Sequence, residues 1–81
     1  MDKKDILEKI ATAFSRVLEH NNFTLTETTT AEDVDGWESI THMMIISEIE
    51  QMFGIKFKLM DLMNMNNIGD LVKIIQSDLE A

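Results

Sequence analysis

Apolar residues recur at helical spacing near both ends of the chain, and the two stripes predict helices there. The first stripe predicts a helix over roughly residues 3 to 19, and it consists of Ile6, Leu7, Ile10, Ala11, Phe14, Val17 and Leu18. Asn67, followed three residues later by Asp70, marks the start of a final helix. Its core stripe consists of Ile68, Leu71, Val72, Ile75 and Leu79.

A second long helix is predicted in the middle of the chain, from residue 37 or 39 to residue 53. Gly54 follows directly and is well placed as the C-terminal cap, because glycine adopts the left-handed conformation without strain. Asp35 and Ser39 are both candidate N-caps. Asp35 with Glu38 also has the spacing of a capping box.

The segments between these helices show no clear period. Residues 21–36 are predicted to form a long loop, which is either functional or a simple crossover between helices. Residues 55–59 are predicted to form an extended connection, and residues 60–65 one short helical turn. The expected fold is therefore all-α: a single domain over residues 1–81, built as a small bundle of three main helices plus one short helix.

The second helix has apolar side chains on two opposite faces. At about 100° per residue, one arc carries the expected core residues Ile45, Ile46, Ile49, Met52 and Phe53. Ile40, Met43 and Met44 fall on the other side, among polar and acidic residues. Either the 21–36 loop covers these three residues, or they form an exposed apolar patch that binds a partner.

The net charge of −8 lies on the same part of the chain. The sequence has 15 acidic and 7 basic residues, and no basic residue occurs between Arg16 and Lys56. The eight carboxylates of that stretch belong to Glu19, Glu27, Glu32, Asp33, Asp35, Glu38, Glu48 and Glu50. Such a surface is repelled by nucleic-acid phosphates and anionic membranes, and it favours protein partners with basic patches.

Length and composition exclude several classes of protein. A chain of 81 residues builds one small core and no cleft between domains. It has no cysteine, which excludes disulfides and thiolate metal sites and fits a cytoplasmic location. The longest apolar run, residues 43–46, is far shorter than the roughly 20 residues of a membrane span, and the N-terminus lacks a secretory signal. We expect no metal site.

Ser39, at the start of the second helix, does not have the surroundings of a catalytic nucleophile. His42 lies three residues further on, but nothing in the sequence orients it as a base, and there is no glycine-flanked elbow. His42 is therefore interpreted as a packed or solvent-facing histidine. The chain is not expected to be an enzyme.

The segment around Ser39 resembles the acyl carrier proteins. The resemblance is carried by residues 35–43 (DGWESITHM), residues 49–57 (IEQMFGIKF) and residues 67–71 (NIGDL). The order of helices, the acidity and the length agree with that family as well. The tripeptide that is Asp-Ser-Leu in the family is Glu-Ser-Ile here, and Glu38 is one methylene longer than the usual aspartate.

The resemblance implies that Ser39 carries 4′-phosphopantetheine, which a phosphopantetheinyl transferase installs from coenzyme A. It implies a stand-alone, monomeric carrier that holds acyl or aminoacyl groups as thioesters. Such a carrier moves them between the loading and downstream enzymes of a fatty-acid, polyketide or other specialised pathway. The partner-binding surface then consists of Asp35, Glu38, Ile40, Met43, Met44, Glu48 and Glu50. The residues alone leave one alternative, an acidic helical adaptor that binds a basic protein non-covalently, with Ser39 only a cap.

Overall fold

A computed structural model describes residues 2–80 and confirms the all-α fold. The helices are α1 (Lys3–Leu18), α2 (Ser39–Phe53), α3 (Leu59–Met63) and α4 (Ile68–Glu80). A 3₁₀ turn, Ala31–Asp33, lies in the loop between α1 and α2. The part of the chain that the structure describes contains no strand. The helix boundaries agree with the predicted ones to within about two residues, which is the usual uncertainty at helix ends.

Helix α1 is capped at both ends by its own flanking residues. The Asp2 carboxylate accepts a hydrogen bond from the Asp5 N–H at 3.0 Å. At the other end Glu19 adopts the left-handed conformation, with φ of 61°, and its N–H donates to the Ser15 carbonyl. The helix contacts both α2 and α4, so its apolar stripe lies at the centre of the bundle.

Helix α2 begins at Ser39, but its N-cap is Glu38 rather than Asp35 or Ser39, and the predicted cap is therefore wrong. The Glu38 N–H donates to Thr41 Oγ1 at 2.7 Å, and the same hydroxyl donates to the Gly36 carbonyl at 2.6 Å. The Thr41 side chain thus ties the chain before the helix to the first turn. This is the role that the prediction gave to the Asp35 side chain.

The chain reverses after α2 at Gly54, whose φ of 66° confirms the predicted C-cap. Residues 55–58 form neither helix nor strand, and Lys58 has an extended backbone, whereas residue 59, predicted to belong to the same connection, already begins α3. The Glu50 carboxylate accepts a hydrogen bond from the Phe57 N–H at 2.8 Å, and the Phe57 side chain is buried. This segment is therefore held against α2 before α3 begins.

The loop between α1 and α2 is bonded to the first turn of α4. The Ile68 N–H donates to the Thr29 carbonyl at 2.9 Å, and the Gly69 N–H donates to the Glu27 carbonyl at 2.8 Å. The first amides of a helix have no acceptor within the helix. These two bonds therefore give acceptors to the first two amides of α4, and they hold the middle of the loop against that helix.

The core combines one face of each long helix with two side chains from the loop, Val34 and Trp37. The buried apolar residues of the helices are Ile6, Ile10, Ala13, Phe14, Ile45, Ile46, Ile49, Ile68, Leu71, Val72 and Ile75. Leu79 was predicted in the core stripe of α4 but is exposed. It lies in the last turn of α4, beyond the last buried residue, Ile75.

Gly69→Ala is expected to destabilise the fold by roughly 1–3 kcal/mol. A Cβ at this position would lie 2.7 Å from the Glu27 carbonyl oxygen, a backbone atom that cannot swing away. The better helix propensity of alanine offsets only about 1 kcal/mol of this cost. Urea unfolding followed by circular dichroism measures the net change, with Lys73→Ala at an exposed position of the same helix as the control. A Gly69→Ala midpoint at or above that of the parent would contradict close packing of the loop on α4.

Candidate functional site

Ser39 is the first residue of α2, and its side chain is exposed. Two residues earlier, Trp37 is only 8% exposed, and its indole packs edge-on against the Phe14 ring with the centroids 4.9 Å apart. The indole anchors the start of the helix in the core, and the chain then carries Ser39 out to the surface. As the first residue of α2, Ser39 is next to the first amides of the helix, which lack acceptors within the helix and favour negative charge. A phosphate ester at Ser39 would be stabilised there.

His42, one turn after Ser39, is held by Trp37. The indole Nε1–H donates to His42 Nδ1 at 3.0 Å, and the two rings stack with their centroids 5.9 Å apart and their planes 28° from parallel. Burial lowers the pKa of His42 below its ordinary value, because the charged imidazolium would lose hydration. His42 is therefore a packed, neutral histidine whose orientation is set by the indole.

Ser39 lies at the edge of a groove of about 360 Å³. The groove brings together two distant parts of the chain, and its walls include Trp37, Glu38, His42, Met65, Asn66 and Asn67. The walls thus offer apolar surface as well as amide groups that donate and accept hydrogen bonds. 4′-Phosphopantetheine is an arm of amides and short alkyl segments that begins at a phosphate. The residues present fit that group: a hydroxyl to attach it, a helix N-terminus for the phosphate and a groove of mixed polarity for the arm.

Three apolar side chains on the outer face of α2 are open to solvent. Ile40 is 79% exposed, Met43 56% and Met44 52%. The loop between α1 and α2 does not cover them, and two of its side chains, Val34 and Trp37, are buried in the core instead. The interpretation that the 21–36 loop covers this face is therefore wrong, and the three side chains form an exposed apolar patch.

The four acidic residues assigned to the partner surface have different surroundings. Asp35 and Glu38 are exposed. Glu48 is partly buried and accepts a hydrogen bond from Arg16 Nη1 at 2.9 Å, which makes an ion pair between α2 and α1. The Glu50 carboxylate is bound to the backbone after α2. Glu38 thus precedes Ser39 directly and lines the same groove, whereas Asp35 is exposed but is not part of the groove wall. The carboxylates of Glu48 and Glu50 have partners within the fold.

Sequence reasoning did not assign Met65, Asn66 or Asn67 to the site. They line the groove because the Thr29 and Glu27 carbonyls hold the start of α4 against the loop. No local signal places a segment more than 20 residues from Ser39 beside it, since that contact depends on tertiary packing. The hydrogen bond between Trp37 and His42 is only weakly indicated by the sequence, which places two aromatic rings five residues apart across the start of a helix.

Within residues 2–80, no group of three or more histidine, cysteine, aspartate or glutamate side chains is arranged to hold a metal ion. None of the helices in this range combines the length and the apolar character needed to cross a membrane. The longest of them, α1, has 16 residues.

Comparisons with known proteins agree with this geometry. Residues 8–75 match the family model described as the phosphopantetheine attachment site. The fold is similar to the solution structure of a holo acyl carrier protein from Geobacter metallireducens, with a TM-score of 0.84 and 34% sequence identity over 91% of this chain and 85% of that one. A comparison with curated protein sequences found no match. The chain therefore belongs to the family of acyl carrier proteins, as a carrier of covalently attached 4′-phosphopantetheine and not an enzyme.

Proposed function

We propose that Ser39 is the residue that carries 4′-phosphopantetheine, and that α2 presents the loaded arm to partner enzymes. The observation that carries the proposal is the position of Ser39, exposed at the N-terminus of α2 and on the edge of the groove. In the transferase reaction the Ser39 oxygen would bond to the phosphorus atom that bears the pantetheine arm of coenzyme A, and the hydroxyl proton would be lost to a base or to solvent. The bond from that phosphorus to the bridging oxygen of the pyrophosphate would break, and adenosine 3′,5′-bisphosphate would leave. The thiol at the far end of the arm holds an acyl or aminoacyl group as a thioester.

The other serines of the chain are poorer candidates. Ser15 lies near the end of α1, and its hydroxyl donates to Asn21 Oδ1 at 2.5 Å. Ser47 lies in the middle of α2, where the backbone amides are already bonded within the helix. Ser77 lies outside residues 8–75, the range that matches the family model. Ser39 alone among the four combines exposure with a helix N-terminus.

The proposed docking surface is the apolar patch of Ile40, Met43 and Met44, with Asp35 and Glu38 at its edge. Exposed apolar side chains beside acidic ones suit a partner with an apolar pocket and a basic rim. Glu48 and Glu50 add negative potential, although their carboxylates are bonded within the fold. The partners are then a phosphopantetheinyl transferase and the loading and downstream enzymes of a fatty-acid, polyketide or other specialised pathway. The absence of cysteine suits a cytoplasmic setting.

Incubation of the protein with coenzyme A and a broad-specificity phosphopantetheinyl transferase tests the attachment site. Intact-mass spectrometry is expected to find the parent heavier by one phosphopantetheine. Ser39→Ala should stay at its starting mass, because the hydroxyl to which the arm would be attached is removed. Ser47→Ala, at an exposed serine of the same helix, is the matched control and should gain the group. Modification of Ser39→Ala would exclude Ser39 as the attachment site.

Truncation of Ile40 is expected to weaken docking on the same transferase. Ile40→Ala should raise the KM for the apo protein by roughly tenfold and leave kcat nearly unchanged, because it removes contact area and not the reacting group. Leu59→Ala on α3 is the matched control, since Leu59 is similarly exposed at 72%, and its KM should stay within about twofold of the parent. Equal losses in both variants would contradict a docking surface centred on α2.

A further inference from the structure

The bond between Trp37 and His42 determines which ring nitrogen of His42 carries a proton. An indole N–H can only donate, so His42 Nδ1, 3.0 Å from Trp37 Nε1, must accept. A neutral imidazole has one N–H, which must then be on Nε2. The structure therefore specifies a His42 ring with a hydrogen-bond donor at Nε2.

The position of that donor is fixed by packing. The His42 ring stacks on the Trp37 ring, and Trp37 is in turn held in the core by Phe14. Within residues 2–80, His42 Nε2 makes no hydrogen bond to another residue of the protein. His42 and Ser39 line the same groove, and on a helix side chains three positions apart lie on one face.

The groove has no cationic side chain to bind an anion. Its walls carry no lysine or arginine, and Glu38 is the only carboxylate among them. A second carboxylate, Asp70, is near the groove through its hydrogen bond with the Asn66 N–H. An anion at Ser39 therefore depends on neutral donors, which are the first amides of α2 and the imidazole N–H. The lowered pKa of His42 keeps the ring neutral and this tautomer in place near pH 7.

We propose that His42 is a binding residue for the arm, in which Nε2–H donates a hydrogen bond to the phosphodiester on Ser39 and Trp37 positions the ring. The proposal rests on the proposed attachment at Ser39. The bond would hold the first part of the arm over the groove while the thiol end stays available. Ser39 supplies the covalent link, His42 a directed donor and Trp37 the orientation of that donor.

Phosphorus NMR of the holo protein tests this contact. A phosphodiester does not itself titrate between about pH 5 and pH 8, whereas histidine does. The ³¹P signal of the holo parent is expected to shift with pH and to follow the titration midpoint of His42. The Trp37 indole N–H signal should shift with the same midpoint, because protonated His42 can no longer accept its bond. The midpoint should be higher in the holo protein than in the apo protein, since the phosphodiester charge favours the imidazolium.

Two glutamine variants show which of the two histidines causes the pH dependence of the ³¹P signal. His42→Gln keeps one acceptor and one donor but does not titrate, so its ³¹P signal should be flat over this pH range. His20→Gln is the matched control. His20 is bonded to the Asp35 carbonyl and the Asn22 N–H and is not part of the groove wall, so this variant should keep the inflection. A flat signal in the holo parent, or an inflection that survives His42→Gln, would overturn the contact.

These measurements also test the His42 contact separately from the attachment of the arm at Ser39. Intact mass establishes before the titration that each sample carries the arm. A loaded protein with a flat ³¹P signal would remove His42 from the site and leave Ser39 in place. A parent that acquires no arm would overturn the attachment at Ser39, and with it the contact to His42.

Discussion

The contact between the Trp37 indole and the Phe14 ring, 4.9 Å between centroids, is the interaction on which the functional end of the molecule depends. It joins the last part of the loop to the C-terminal half of α1, and this contact fixes the position at which α2 begins. Ser39 comes two residues after the buried indole and therefore reaches solvent at the helix start. The same indole orients His42. One buried side chain thus positions both the proposed attachment residue and a proposed binding residue.

The distribution of charge is the second constraint. No basic residue occurs between Arg16 and Lys56, and Arg16 itself pairs with Glu48 across α1 and α2. The start of α2 is therefore a strongly negative surface to which the arm would add another negative charge. Backbone amides at a helix N-terminus can bind a phosphate without a cationic side chain. The exposed acidic residues before the helix, Asp35 and Glu38, thus have no basic neighbour along the chain, and together with the apolar patch on α2 they suit partners with basic patches.

Periodicity predicted the architecture well because each long helix buries one apolar face. It also placed Ile40, Met43 and Met44 on the face of α2 opposite the core, but only the structure shows that the loop leaves them exposed. Periodicity did not predict the N-cap of α2 or the walls of the groove, because individual polar contacts determine both. The N-cap of α2 depends on Thr41 and not on Asp35, and the groove depends on Asn66 and Asn67, which reach it through the bonds between the loop and α4. The bonds between the loop and α4 join residues far apart in sequence, and the cap uses the hydroxyl of Thr41 in place of the carboxylate of Asp35. Neither kind of contact produces a periodic pattern in the sequence.

The most direct measurement is the urea unfolding of the protein followed by two signals at once. Trp37 is the one tryptophan of the chain, so its fluorescence reports the loop and the start of α2, while far-ultraviolet circular dichroism reports the helices. If the indole is part of the single core, both transitions have the same midpoint, and acrylamide quenches the native fluorescence only weakly. Exposure of Trp37 at a urea concentration that leaves the helices intact would contradict the account, because the start of α2 would then not be fixed by the core.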